Sequence, residues 1–224
     1  MGNINSGFNV ENIKTQMDAI EKSYTEIAKA LTDDFKSGMI AKVAEYWACQ
    51  EAVDFWKEVA KTVEKLIEGD DGIYGTYDNL FKTMNSCAHT WAENTGKGGV
   101  WGQNEKRIKK ANAKFDTSAI KENINNDRGI NGQKVTEITS SAFETALNTT
   151  KQALNTAKGA IDATGFIDEQ KAQMNGVKAG LDQMYNTISG AVKKLQAELE
   201  KAINESIKKY GDTATSVANA YKAS

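Results

Sequence analysis

The chain contains no proline among its 224 residues. Proline breaks helix interiors, because it lacks an amide hydrogen and its ring clashes with the preceding turn. Its absence therefore permits long uninterrupted helices. Apolar residues make up 40% of the chain and charged residues 26%, a balance that provides for a buried core. We expect an all-α fold of long antiparallel helical hairpins, forming a four-helix bundle or an extended coiled-coil-like bundle.

The first helix is indicated by apolar residues that recur at alternating intervals of three and four. This is the period of a helix packed lengthwise on another helix. The residues are Val10, Ile13, Met17, Ile20, Tyr24, Ile27 and Leu31. The pattern predicts a helix that runs to about Thr32, with Asn9 or Asn12 as its N-cap.

A second helix is indicated by two series of residues spaced by sevens. They are Ala52, Val59, Leu66, Ile73, Leu80 and Cys87, and Trp56, Val63, Asp70, Tyr77, Met84 and Trp91. The segment 68–72 has loop propensity, yet the heptad phase continues across it. We therefore favour one helix of about 40 residues, with a break at this segment as the alternative. On a continuous helix, Gly72→Ala would stabilise the fold by up to about 1 kcal/mol.

Four glycines between Gly96 and Gly102 predict a linker, and a basic stretch follows it. A third apolar seam runs from Phe143 to Ile161, and 160–165 has the composition of a turn. A fourth seam begins at Met174 and shifts register through Leu199, Ile203, Ile207 and Tyr210. We therefore predict a first hairpin at 1–95, a linker with a basic helix at 96–132, and a second hairpin with a short tail at 133–224.

The inventory of reactive side chains argues against an enzyme. His89 is the single histidine, and Cys49 and Cys87 are the two cysteines. Cys87 and His89 are two positions apart, so on a helix they do not face each other. The acids are scattered over polar faces and form no inward-facing set. We expect no catalytic residues, no cofactor and no metal. A net charge of -2 gives no basic field for specific nucleic-acid binding.

The amino terminus lacks a charged region followed by an apolar stretch, and no apolar run approaches the roughly 18 residues of a membrane span. We expect a cytoplasmic protein, or one secreted without a cleaved Sec signal. The first six residues fit the permissive N-myristoylation pattern at Gly2, which chance also produces.

The basic stretch is a candidate contact for an anionic surface such as a membrane. Its cations are Lys106, Arg107, Lys109, Lys110 and Lys114. The alternative is a solvated helix face without a ligand.

The segment Trp47-Ala48-Cys49 lies between the first two predicted helices. Here the chain resembles the Trp-X-Gly (WXG) family of small helical hairpins exported by type VII secretion systems. In that family a Trp-X-Gly turn joins two long antiparallel helices, and two hairpins pair into a four-helix bundle. The resemblance covers roughly residues 8 to 92, with Cys49 in the place of the family's glycine. It makes Trp47 a buried residue of the hairpin turn.

The family also carries a Tyr-x-x-x-Asp/Glu export signal, and Tyr74 with Asp78 has that spacing. The resemblance thus implies a non-enzymatic interaction protein that associates through helix faces, by self-association or with a protein partner, and that engages a secretion machinery. Two other interpretations stay open. One is a membrane-active α-helical toxin or lipid-surface protein, whose amphipathic helices would open onto a bilayer. The other is a structural coiled-coil component of a larger assembly.

Overall fold

A computed structural model describes residues 8–33, 39–94, 100–113, 118 and 130–223, with side chains up to residue 211. All regular secondary structure in these ranges is helical, which confirms the predicted all-α bundle class. The helices are α1 Val10–Asp33, α2 Ala41–Val43, α3 Gln50–Glu68, α4 Ile73–Asn94, α5 Gly132–Ala163 and α6 Asp168–Ala223.

The chain divides into two compact units. The first comprises 1–29, 65–113 and 147–188, and the second comprises 30–64, 114–146 and 189–224. Each unit therefore draws on three separate stretches of sequence, and α1, α3, α5 and α6 contribute residues to both. The division into consecutive segments 1–95, 96–132 and 133–224 stays a prediction.

In the first unit, α1 and α4 run antiparallel. Phe8, just before α1, packs edge-on against Trp91 near the end of α4, with ring centroids 5.2 Å apart. Tyr24, further along α1, contacts Tyr77 near the start of α4 at 5.4 Å. The hydroxyl of Tyr77 also shares a 2.7 Å hydrogen bond with the buried hydroxyl of Ser23. Aromatic contacts at both ends thus align these two helices.

The predicted hairpin of α5 and α6 is also present in the first unit. Lys158 of α5 pairs with Asp182 of α6 at 2.7 Å, and Asp162 of α5 pairs with Lys178 of α6 at 2.6 Å. The later residue of α5 thus meets the earlier residue of α6, so the two helices run antiparallel. The connection contains Gly165 with a φ of 74°, a conformation that glycine adopts without strain. The turn predicted at 160–165 begins later than expected, because α5 continues to Ala163 and residues 164–167 connect it to α6 at Asp168.

The core of the second unit contains aromatic residues of α3 and the preceding turn together with apolar residues of α6. Its fully or almost fully buried side chains include Trp47, Trp56, Val59, Leu199 and Ile203. Gly132, the first residue of α5, lies directly against α6, where a Cβ would come within 2.9 Å of the Cγ2 of Ile203. A larger residue at this position would therefore force the side chain of Ile203 to shift.

The prediction of one continuous second helix is wrong, because α3 ends at Glu68 and α4 begins at Ile73. The amide of Gly72 donates to the carbonyl of Gly69 at 2.9 Å and closes a tight turn. In this turn the backbone passes so close to itself that a Cβ at Gly72 would collide with the carbonyl of Leu66. Glycine at this position therefore permits the break. Ile73 is buried directly after the turn, so the heptad spacing of buried residues continues across the break.

The last predicted seam is wrong at its carboxyl end. Ile207 is 44% exposed and Tyr210 is 51% exposed, whereas Ser206 is buried. The buried positions Leu199, Ile203 and Ser206 continue the alternation of four and three, so the inward position falls on the serine. The predicted tail is part of the last helix, since α6 continues to Ala223.

Candidate functional site

The predicted hairpin turn connects α2 to α3 in the second unit, and Trp47 is its central residue. The indole is completely buried, as expected, and packs against Phe55 and Trp56 with ring centroids 5.6 and 6.5 Å apart. Its Nε1 donates a 3.3 Å hydrogen bond to the Oγ of Ser206 on α6. The side chain therefore fastens the turn to α6.

The backbone of this turn shows how a cysteine is accommodated at position 49. The amides of Tyr46 and Trp47 both donate to the carbonyl of Val43 at 2.9 Å, which ends α2. The carbonyl of Cys49 then accepts the amide of Val53, so Cys49 immediately precedes the first turn of α3. Its side chain is buried and its Sγ lies 3.9 Å from Ser206 Oγ. The cysteine side chain thus belongs to the core.

Both thiols are in surroundings that disfavour nucleophilic chemistry. Burial raises the pKa of Cys49 and, separately, that of Cys87. The thiolate is the nucleophilic form, so a raised pKa reduces reactivity. Cys87 Sγ donates to the Oε1 of Gln173 at 3.1 Å within the first unit. These cysteines therefore act as packing and hydrogen-bonding residues.

The basic stretch forms an irregular segment at residues 105–113, which we call the strap, so the predicted basic helix is absent there. Side chains of the helices satisfy its backbone. Asn85 Nδ2 donates to the carbonyl of Lys106 at 2.7 Å. Tyr24 Oη accepts the amide of Ala111 at 2.8 Å, and Glu68 Oε1 accepts the amide of Ala113 at 2.7 Å. These partners take the place of helical hydrogen bonds, and the strap crosses the first unit without regular secondary structure.

Two of the five predicted anion-contact residues form ion pairs within the first unit. Lys106 forms an ion pair with Asp18, and Lys110 lies 3.3 Å from Asp70 and 4.8 Å above the ring of Tyr74. In contrast, Arg107 and Lys109 are exposed and form no ion pair with any residue that the structure describes. Lys114 lies outside the described residues.

A cleft of about 550 Å³ lies between α4 and the strap, and we call it the α4–strap cleft. It brings the predicted export-signal residues together with the first two cations of the strap. Asp78 is bound to Lys82 one turn along α4, at 2.7 Å. The lining residues are Tyr74, Asp78, Phe81, Lys82, Asn85, Ser86, His89, Thr90, Glu105, Lys106, Arg107 and Ile108.

Sequence reasoning missed Asn85, which organises this region. The side chain is buried, donates to Lys106, and accepts hydrogen bonds from the Lys106 amide and from Trp101 Nε1, at 3.3 and 3.2 Å. Its sequence signal is a polar residue directly after the seam residue Met84. A buried amide needs several partners, and here the strap and Trp101 supply them.

Within the described part of the chain, no three His, Cys, Asp or Glu side chains are grouped closely enough to hold a metal ion. In the same residues, no helix has the length and apolar character needed to cross a membrane. Comparison with protein-family models, curated proteins and solved structures gave no match. Function is therefore inferred from the geometry of the turn and of the α4–strap cleft.

Proposed function

We propose that this chain is a non-enzymatic helical interaction protein of the WXG kind, exported by a type VII secretion system. The observation that carries the proposal is the burial of Trp47 at the connection that follows α1 and α2 and precedes α3 and α4. A tryptophan that closes a helical hairpin is the feature on which the resemblance to the family rests. The antiparallel pairing of α1 with α4 also agrees with such a hairpin.

Association through helix faces is supported by an exposed apolar surface on α6, near residue 211, where the description of side chains ends. Ile207 and Tyr210 are large, exposed and three positions apart, so they share one face of α6. Exposed aromatic and aliphatic side chains of this kind supply binding energy when a partner buries them. The polar groups described above take part in structural bonds, such as Ser206 with Trp47 and Cys87 with Gln173.

Export is tested in a bacterial host with a functional type VII system and in a matched strain that lacks the secretion ATPase. We expect the chain in the culture medium of the first strain only, with a cytoplasmic marker as the control for lysis. Equal amounts in both media would overturn the proposal.

The export signal is tested separately through Tyr74→Phe and Asp78→Asn, which preserve most of the side-chain volume. We expect both variants to stay in the cell while they fold as the parent does, measured by circular dichroism. Tyr185→Phe is the matched control, because Tyr185 is also half-buried on a helix but has Ser189, not an acid, four residues later. Normal export of the Tyr74 and Asp78 variants would remove these residues from the proposal.

A further inference from the structure

We propose that the α4–strap cleft binds a phosphate group, carried either by a small soluble ligand or by a lipid headgroup. The site goes beyond helix-face association, because it is a concave, charged pocket within the first unit. Its volume of about 550 Å³ lies inside the range of about 300–1,000 Å³ that is typical of small-molecule sites.

The cations that line the cleft differ in whether a nearby carboxylate neutralises their charge. The ammonium of Lys106 is occupied by Asp18. Arg107 is exposed and has no ion-pair partner among the described residues. Lys82 contacts Asp78, yet 70% of its side chain is exposed. The guanidinium of Arg107 is therefore the principal anion-binding group, and its planar fork can donate two parallel hydrogen bonds to a phosphate.

Arg107 and Lys82 also lie near enough to repel each other. The hydrogen bond that Lys82 donates to Asp78 is the largest influence and raises the pKa of Lys82, while the charge of Arg107 acts in the opposite direction and lowers it. An anion between two like charges relieves their repulsion and gains attraction from both. A phosphate with close to two negative charges suits this pair better than a monovalent carboxylate does.

Neutral donors and an apolar wall complete the site. Ser86 and Thr90 are exposed, line the cleft and lie four positions apart, so their hydroxyl groups stand on one face of α4. Phe81 and Tyr74 line the same cleft. The site therefore accommodates a phosphate together with a small organic group that packs against the aromatic residues.

Two carboxylates line the cleft and oppose the binding of an anion, and that of Asp78 is already paired with Lys82. Glu105 is exposed and lies beside the cations in the cleft, and its carboxylate repels a phosphate. Its removal should therefore strengthen binding, whereas removal of Arg107 should weaken it. Lys109 carries the same charge outside the cleft lining, so the contrast between Arg107 and Lys109 distinguishes a defined site from general attraction to the basic strap.

The test is a titration of the isotope-labelled full chain with inorganic phosphate at constant ionic strength, followed by amide chemical shifts. We expect saturable shifts at Ser86, Arg107 and their neighbours. Arg107→Gln should raise the dissociation constant about tenfold, as loss of a charge-assisted hydrogen bond does, and Glu105→Gln should lower it. Lys109→Gln is the matched control, since it removes the same charge from the strap outside the cleft lining. It should change the constant less than about twofold, as a rim charge does.

Two outcomes would overturn the proposal: no saturable shifts at the cleft, or an equal loss of affinity in the Arg107 and Lys109 variants. Co-sedimentation with phosphatidylcholine vesicles, with and without phosphatidic acid, separates the two sources of phosphate. Arg107-dependent capture by the vesicles that contain phosphatidic acid identifies a lipid headgroup. Shifts with free phosphate and no capture identify a soluble ligand.

Discussion

Trp47 and Ser206 are 159 positions apart in sequence, yet the indole Nε1 of the first donates a 3.3 Å hydrogen bond to the Oγ of the second in the buried core of the second unit. The serine hydroxyl in turn donates to the carbonyl of Ala202 at 2.9 Å. One hydroxyl thus serves as acceptor for the turn and as donor to its own helix, which accounts for a polar residue at an inward position of α6.

Ser206→Ala should lower the free energy of unfolding by about 1–3 kcal/mol, because the buried indole N–H loses its partner. The measurement is the urea midpoint followed by circular dichroism. Thr145→Ala is the control: its exposed hydroxyl donates only to the carbonyl of Ser141 in its own helix, so its removal should have little effect. A Ser206 variant as stable as the parent would contradict this role for the hydrogen bond.

Replacing a glycine by alanine near the break between α3 and α4 should change stability in the opposite direction from the same replacement inside a regular helix. A Cβ at Gly75 would collide with the carbonyl of Asp70, so Gly75→Ala should destabilise the chain by about 1–3 kcal/mol, as overpacking does. In α6, a Cβ at Gly176 meets nothing within 4 Å. Gly176→Ala should therefore stabilise the chain by up to about 1 kcal/mol. Thermal melts of the two variants measure both effects, and a Gly75→Ala variant at least as stable as the parent would refute the close approach.

Asn85→Ala should release the strap, because it removes the partner of the Lys106 backbone and of Trp101 Nε1 together. We expect a loss of about 2 kcal/mol or more in stability, since several buried groups lose their hydrogen bonds at once. Hydrogen exchange should accelerate at 105–113. The matched control is Asn155→Ala, on an exposed position of α5. Unchanged protection of the strap would show that Asn85 does not hold it.

Glu51 and Lys209 form a hydrogen-bonded ion pair in the second unit. The hydrogen bond that Lys209 donates is the main reason that the pKa of Glu51 is lowered. A carboxyl group with a depressed folded-state pKa contributes stability above its unfolded pKa of about 4.3, and that contribution is lost as the pH falls through the folded value. Lys209→Gln should therefore destabilise the chain at neutral pH, and its deficit should shrink in acid. Lys193→Gln, at an exposed position, is the control. A deficit that does not change with pH would argue against the pair.

Much of the bundle follows from the apolar period of the sequence. Ile13, Met17, Ile20, Tyr24 and Leu31 are buried on α1 as their spacing predicts. Such a pattern is reliable where one face of a helix meets the core and the opposite face meets water. The pattern is less informative where polar residues have tertiary partners, as at Ser206, whose inward position depends on Trp47.

The break at 69–72 and the strap could not be read from the period for two physical reasons. The break keeps the heptad count, because the turn leaves Ile73 in the core, so spacing alone does not distinguish it from a continuous helix. The strap has residues that favour helices, but its amides are taken by Tyr24, Glu68 and Asn85 from other elements. Tertiary partners of this kind override local propensity.

The side-chain anchoring of the strap also determines which substitutions it tolerates. Lys106, Ala111 and Ala113 each donate a backbone amide to a helix side chain, so a proline at any of these three positions removes an anchor. Arg107 and Lys109, whose side chains are exposed, accept a wide range of residues without loss of the fold. Natural or engineered variation should therefore accumulate at exposed strap positions outside the cleft lining, such as Lys109, while Tyr24, Glu68 and Asn85 stay constant on the helices beneath it.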